Sequence, residues 1–189
     1  MGNYPETLVN IEELRKNSRL NKHQHFSAAE RAQKHNTLSG VPVVITNVFL
    51  GSLLFVSLSE QVPDLTVWIS GFLALGAAFC SALQTFFNFE KLIEGHRRIA
   101  NRYLQVQRTC EITKSEYLDK AIDKSNLCQK YREVLLEYNL INSDAEAYPT
   151  GNSDYKRAQE YDKHKQNEEQ DGLMRKRLEG TIDRSPFPT

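Results

Sequence analysis

Two stretches of the chain carry no charged residue, Asn36–Ser59 and Leu65–Phe89. From Leu38 to Ser59 is 22 residues, which as a helix would extend roughly 33 Å, against a bilayer hydrocarbon core of about 30 Å. The run Leu65–Phe87 is of similar length. Neither run has the polar stripe that marks a surface helix of a soluble domain. The pattern predicts two transmembrane helices, about 38–59 and 65–87, rather than a buried soluble hairpin. Only Glu60-Gln61-Val62-Pro63-Asp64 separates them, so they are expected to form a tight antiparallel hairpin. Pro63 suits the end of one helix and the start of the next.

Beyond the second run the pattern becomes alternating steps of four and three. Leu92, His96, Ile99, Tyr103, Val106 and Cys110 fall on it, and the same register meets Tyr117, Leu127, Tyr131, Val134, Tyr138 and Ile141. This is a coiled-coil-type seam on a cytoplasmic helix of about 88–142. Its weakening at Thr113, Lys120 and Lys124 predicts a break or a looser stretch, and only Gly95 interrupts helix propensity near the second span. Leu92, Ile99, Tyr103, Val106, Leu127, Tyr131, Val134 and Tyr138 are the candidate oligomer seam. The alternative is a helix folded back on its own chain.

Ahead of the first span, Ser27-Ala28-Ala29-Glu30 has the form of a capping box, predicting that a helix starts there. Pro42 should bend that helix where it meets the membrane. Leu8, Ile11 and Leu14 make a thin apolar stripe over 6–20, at best a short amphipathic or interfacial helix. From Asn142 onward aliphatic residues are scarce, so a disordered tail is expected over 149–189, with a helix near Ser153–Leu178 as the alternative. The expected division is an N-terminal segment 1–26, a two-transmembrane domain 27–148 and the tail. The fold class is an all-α membrane protein.

Charge sharpens this picture. The chain has 24 Lys+Arg and 24 Asp+Glu, a formal net charge of zero, without the basic surplus of a general nucleic-acid binder. The polar average hydropathy mixes two uncharged segments with a very polar remainder. Arg19, Lys22, Arg31 and Lys34 precede the first span; Lys91, Arg97, Arg98, Arg102 and Arg108 follow the second; the connection carries only Glu60 and Asp64. The positive-inside rule then places both termini in the cytoplasm, in a multi-pass protein of the inner (cell) membrane. Trp68 falls where an interfacial aromatic belongs. The three cysteines, Cys80, Cys110 and Cys128, are odd in number and widely spaced, which fits neither a disulfide framework nor a zinc site.

No catalytic constellation stands out. His23 and His25 sit in a polar stretch and read as a solvated pair, while His35, His96 and His164 lack the spacing of a zinc helix. Neither a phosphate-binding glycine loop nor a nucleophile elbow is present. The expectation is a protein that is not an enzyme and takes no cofactor or metal. What remains lies inside the spans: Asn47 near the middle of the first, Gln84 and Thr85 in the cytoplasmic third of the second, and Asn88 at its edge. Such groups avoid lipid, so they either bond between helices or line a pore. Ser70, Ala74, Ala78 and Ala82 repeat every fourth residue, a spacing that lets helices approach closely. Two helices cannot enclose a channel, so a pore requires several chains.

In order, the segments "SAAERAQKHNTLSG", "FFNFEKLIEGHRRIANRYLQVQR" and "QKYREVLLEYNLINSDAEAYP" resemble the SLATT domain. That domain is the two-transmembrane effector associated with nucleotidyltransferase (SMODS) and SLOG sensor domains in prokaryotic conflict systems. The resemblance covers roughly 15–148 and rests on the order of patterned elements. It implies an oligomeric pore-forming membrane effector in phage defence, triggered by a nucleotide second messenger and ending in membrane depolarisation. It also implies structural roles for Arg31, His35, Glu90, His96 and Tyr103. This chain has no nucleotidyltransferase or sensor domain of its own, so that partner would be encoded nearby. A membrane-anchored scaffold that conducts nothing is the competing expectation.

Overall fold

The computed structural model describes residues 5–57 and 63–182. It contains five helices, α1 (Glu6–Ser57), α2 (Asp64–Phe87), α3 (Phe89–Leu118), α4 (Lys124–Ala145) and α5 (Asn152–Ile182), and no strand among the described residues. The protein is all-helical. The chain divides into two compact units, Met1–Ser27 with Ile99–Thr189, and Ala28–Arg98.

In the first unit the seam closes on its own chain. Ile99, Tyr103, Val106 and Cys110 of α3 pack with Leu127, Val134 and Ile141 of α4 and with Ile11 and Leu14 of α1. Tyr117, Tyr131 and Tyr138 pack against this core from its margin. The polar contacts give the helix directions. Tyr103 donates to Asn142 Oδ1 at 2.7 Å, and Lys130 donates to Glu116 Oε2 at 2.5 Å, so α3 and α4 run antiparallel. Arg15 to Glu111 and Lys114 to Glu12 make α1 antiparallel to α3. The result is a three-helix bundle.

The reversal between α3 and α4 has a local cause. Lys120 adopts φ 58 just past the last turn of α3, and the amide of Ala121 donates back to the Glu116 carbonyl at 2.8 Å, in the manner of a left-handed helix stop. Asp123 then caps α4, its carboxylate accepting from the Asn126 amide at 2.8 Å. The break falls at Lys120 and Lys124, as their place in the register predicted. Thr113 is different: it is buried and continues the seam without a slip.

Several expectations are corrected here. Ile99, Tyr103, Val106, Leu127 and Val134 are buried within the chain, and Tyr131 and Tyr138 are partly buried against the same core. In the single chain these positions pack against one another, as in the fold-back arrangement. Leu92 lies in the other unit and is half-buried. Leu8, Ile11 and Leu14 are buried, so the N-terminal stripe belongs to the bundle rather than to a separate segment or an interface. Ser27 is interior to α1, because the residues before it already have a face to bury; the capping-box pattern does not start a helix here. Residues 152–182 form α5 rather than a disordered tail.

The second unit holds the uncharged segments. α1 passes through Pro42, and the described side chains from Leu38 to Ser52 include one buried residue, Val43. Along α2, Ala77 is the one described side chain from Leu65 to Phe87 that is buried. Ala74, Ala78 and Ala82 are exposed, so the small-residue stripe makes no close approach in the single chain. Of the connecting loop, Glu60, Gln61 and Val62 lie outside the described residues.

The bundle core carries the first prediction. Ile99→Ala and Leu127→Ala should each cost about 2–5 kcal/mol of stability in denaturation followed by far-ultraviolet circular dichroism. Leu136→Ala, at an exposed position of α4, should stay within about 0.5 kcal/mol. Equal, small effects at all three positions would contradict the packing.

Candidate functional site

Asn88 separates α2 from α3 with φ 43, a left-handed conformation that Asn tolerates better than most side-chain-bearing residues. Its Oδ1 accepts from the Lys91 amide at 3.4 Å, so the residue that ends one helix also caps the next. Gly95 was the interruption expected from sequence, yet it sits buried within α3. Asn88 and Thr85 line a cleft of about 780 Å³ with Asn36, Thr37, Val44 and Glu90. His35 stacks with Phe89 at a ring-centroid distance of 6.5 Å, and Arg97 donates to Gln33 Oε1 at 2.7 Å.

The structure brings Thr85 and Asn88 together but not Asn47, which lies exposed on α1 outside that lining. The placement of the Gln84 side chain is outside what is described. The hydroxyls of the apolar segments turn inward on their own helices. Ser52 donates to the Val48 carbonyl, Ser70 to that of Thr66 and Thr85 to that of Ser81. Such back-bonding satisfies a hydroxyl without water. Cys80 and Cys128 are half-buried and Cys110 is buried, and none of the three forms a disulfide among the described residues. No group of three His, Cys, Asp or Glu side chains among the described residues is placed to hold a metal.

A second polar concentration lies in the bundle. Arg15, Ser18, Arg19, Lys22 and His23 share one face of α1, at helical steps of three and four. Arg15 Nη2 donates to Glu12 Oε1 at 2.7 Å and its Nη1 to Glu111 Oε1 at 3.3 Å. Arg19 Nε donates to Asp162 Oδ1 of α5 at 2.6 Å, both side chains being largely buried. His23 stacks on Tyr161 at 3.7 Å between ring centroids, and Lys22 donates to Gln107 Oε1 at 2.9 Å. The histidines are therefore not a solvated pair: His25 is buried and packs near Tyr103. Sequence reading missed this face because it tested basic residues for membrane orientation, not for helical spacing. Their positions, 15, 19 and 22, were the available signal.

The electrostatics follow from burial. Desolvation, reinforced by Lys22 and Arg19, pushes the His23 imidazole down to about 4, with Asp162 opposing. Lys22 is lowered by burial and by Arg19. For Glu12 burial acts upward, but hydrogen bonds from Arg15 and Lys114 outweigh it and hold the carboxyl below its usual value. Burial and neighbouring Tyr138 push Tyr103 up to about 12, and burial pushes the Cys110 thiol up to about 11. Cys110 is therefore a packed side chain rather than a ready nucleophile.

Comparison with protein-family models, with curated proteins and with solved structures finds no match to this chain.

The His23 environment gives a pH dependence with a definite sign. Its folded value lies below the ordinary 6.5, so the folded state resists protonation and the unfolded state takes the proton first. Its contribution is present above about 6.5 and is lost as pH falls toward 4. Glu12 acts only below the ordinary carboxylate value of 4.5, so the interval from 6.5 to 5 separates His23 from Glu12, and the His23→Gln variant separates it from the other histidines. Stability of the bundle should fall across that interval in the wild type and stay flatter in His23→Gln, as read by thermal melts at each pH. Parallel curves would remove His23 as the cause.

Proposed function

We propose that the chain is an oligomeric membrane effector whose two uncharged segments cross the bilayer as a hairpin, with both termini in the cytoplasm. Several copies together form a pore that depolarises the inner membrane. The observation that supports this reading is the exposure of the apolar segments. One helical stretch, Leu65–Leu118, is long and apolar enough to cross a membrane, and only 6% of its apolar window is buried. Phe72, Leu75, Phe79 and Phe86 stand exposed along it, as do Val44, Ile45, Val48 and Phe49 along α1. A patch this extensive is covered by lipid or by further apolar surface, not by water. Asn47 is a polar exception at mid-span, and the charge bias of the flanks sets the orientation.

The SLATT-like order of segments supports anti-phage defence as the setting and a nucleotidyltransferase or nucleotide sensor encoded nearby as the source of the trigger. No catalytic role, cofactor or nucleic-acid partner belongs to this reading. A second reading is favoured by one observation. The seam is consumed inside the bundle, which leaves a self-contained cytoplasmic module suited to a non-conducting membrane-anchored scaffold.

Two measurements test these readings. A cysteine introduced at Gln61 should react with an impermeant thiol reagent on intact cells; labelling only after lysis contradicts the hairpin orientation. In reconstituted bilayers, Asn47→Leu should leave oligomers intact and lower conductance, because an apolar constriction dewets. If Asn47 instead bonds between helices, the variant should weaken assembly by about 1 kcal/mol. Unchanged conductance in an assembled Asn47→Leu protein removes the residue from the pore, and a wild-type protein that never conducts favours the scaffold.

A further inference from the structure

The cleft between α1 and the junction of α2 with α3 changes character along its length. Along α1 its lining passes from Asn36 and Thr37 to Val41, Val44 and Ile45, about 14 Å of helix. Phe89 stacks with His35 and Arg97 donates to Gln33, so α3 starts against the polar end, and Asn88 and Glu90 lie there. Phe89 is itself in the lining. Besides His35 it meets Phe87 at 5.7 Å between ring centroids, and Phe87 meets Phe86 at 5.4 Å. One wall is thus made of rings that hold one another in place. The volume, about 780 Å³, falls within the roughly 300–1,000 Å³ of small-ligand sites.

The polar end coincides with the edges of the uncharged segments, which begin at Asn36 and end at Phe89. Glu90 is the first charged residue after them. It is exposed, and its carboxylate forms no ion pair among the described residues. In the bundle, by contrast, Glu12, Glu111, Glu116 and Glu137 each have a basic partner. A carboxylate at the surface of a bilayer repels anionic headgroups and attracts cationic ones. Lys34 and Lys91, both exposed, flank this end of the cleft in the chain.

We propose that the cleft binds one molecule of phosphatidylethanolamine from the cytoplasmic leaflet. Its ammonium sits on Glu90, its phosphodiester faces Lys34 and Lys91, its ester region meets Asn36 and Asn88, and one acyl chain follows Val41, Val44 and Ile45. The site exists only if the uncharged segments cross the bilayer as proposed above. A primary ammonium brings one positive charge and three N–H donors. A choline headgroup brings the charge without a donor, and a glycerol headgroup brings no cation. Hydrogen bonds between ionised groups are about twice as strong as neutral ones, so Glu90 selects the headgroup. The apolar end holds the chain by burial, which is indifferent to the headgroup.

The test uses the full chain in nanodiscs of equal parts phosphatidylethanolamine, phosphatidylcholine and phosphatidylglycerol, released into detergent and read by native mass spectrometry. One ethanolamine lipid per chain should stay bound, retained about tenfold over either competitor. Glu90→Gln should erase the preference over choline. Glu94→Gln changes an exposed carboxylate one turn along α3, outside the lining, and should keep it. Val44→Trp fills the apolar end and should release all three lipids. Preferential retention of the glycerol lipid would overturn the site, because the basic flanks alone would then account for binding. So would an unchanged preference in Glu90→Gln, or its loss in Glu94→Gln as well. A chain that is labelled at a Gln61 cysteine from outside intact cells, yet prefers no lipid, overturns the cleft alone. A chain that is not labelled from outside and stays out of the discs overturns the membrane reading with it.

Discussion

Burying Ile99, Tyr103, Val106 and Cys110 against Leu127, Val134 and Ile141 requires the chain to reverse between Leu118 and Lys124, and the architecture of the bundle depends on that reversal. Full burial of an aliphatic side chain is worth about 1.5–3 kcal/mol, so the row outweighs what the surface ion pairs contribute. Arg102, which bridges Glu137 and Asp144 from the rim, adds alignment more than stability. The reversal needs a residue that leaves the helix and one that starts another. Lys120 and Asp123 supply them three positions apart in the connection. With α3 and α4 closed face to face, the remaining gap takes Ile11 and Leu14 from α1, and the N-terminal segment becomes part of the core.

The uncharged segments obey a different constraint. A stripe that repeats every three or four residues can be covered by one partner helix, but α2 is apolar all round and a partner covers only one side. Ala77 is buried, while Leu65, Trp68, Phe72 and Phe86 point elsewhere and remain exposed. The hydroxyls of Ser52, Ser70 and Thr85 bond to their own helices, which satisfies them without an outside partner. The same chain thus carries two kinds of hydrophobic sequence, patterned and unpatterned, and each asks for a different surrounding.

That difference also explains how much was legible beforehand. The helical class, the extent of the uncharged segments and the break near Lys120 follow from local rules of periodicity and charge. Whether a seam closes within a chain or between chains is not a local property: Ile99 and Val134 satisfy the same 4-3 pattern in either case. Ile11 and Leu14 form too thin a stripe to announce a core position, yet they are decisive once α3 and α4 present a groove. Ser27-Ala28-Ala29-Glu30 misled because a capping box needs a chain end to cap, and the preceding residues already had a helix face to bury. Of the candidate site, Thr85 and Asn88 were found from their polarity within an apolar run. The face built on Arg19 was not, because its partner Asp162 lies 143 residues away.

The net charge of zero conceals how the buried charges of the bundle are arranged. Arg15 pairs within the bundle with Glu12 and Glu111, and Arg19 pairs with Asp162 of α5. A buried ion pair adds little net stability when intact, but removing one partner leaves an uncompensated charge that is costly to keep buried. The bundle of α1, α3 and α4 has its own aliphatic core, separate from the Arg19–Asp162 pair. Local stability therefore differs within the unit: an aliphatic core opens only with the bundle, whereas a polar contact opens at lower cost.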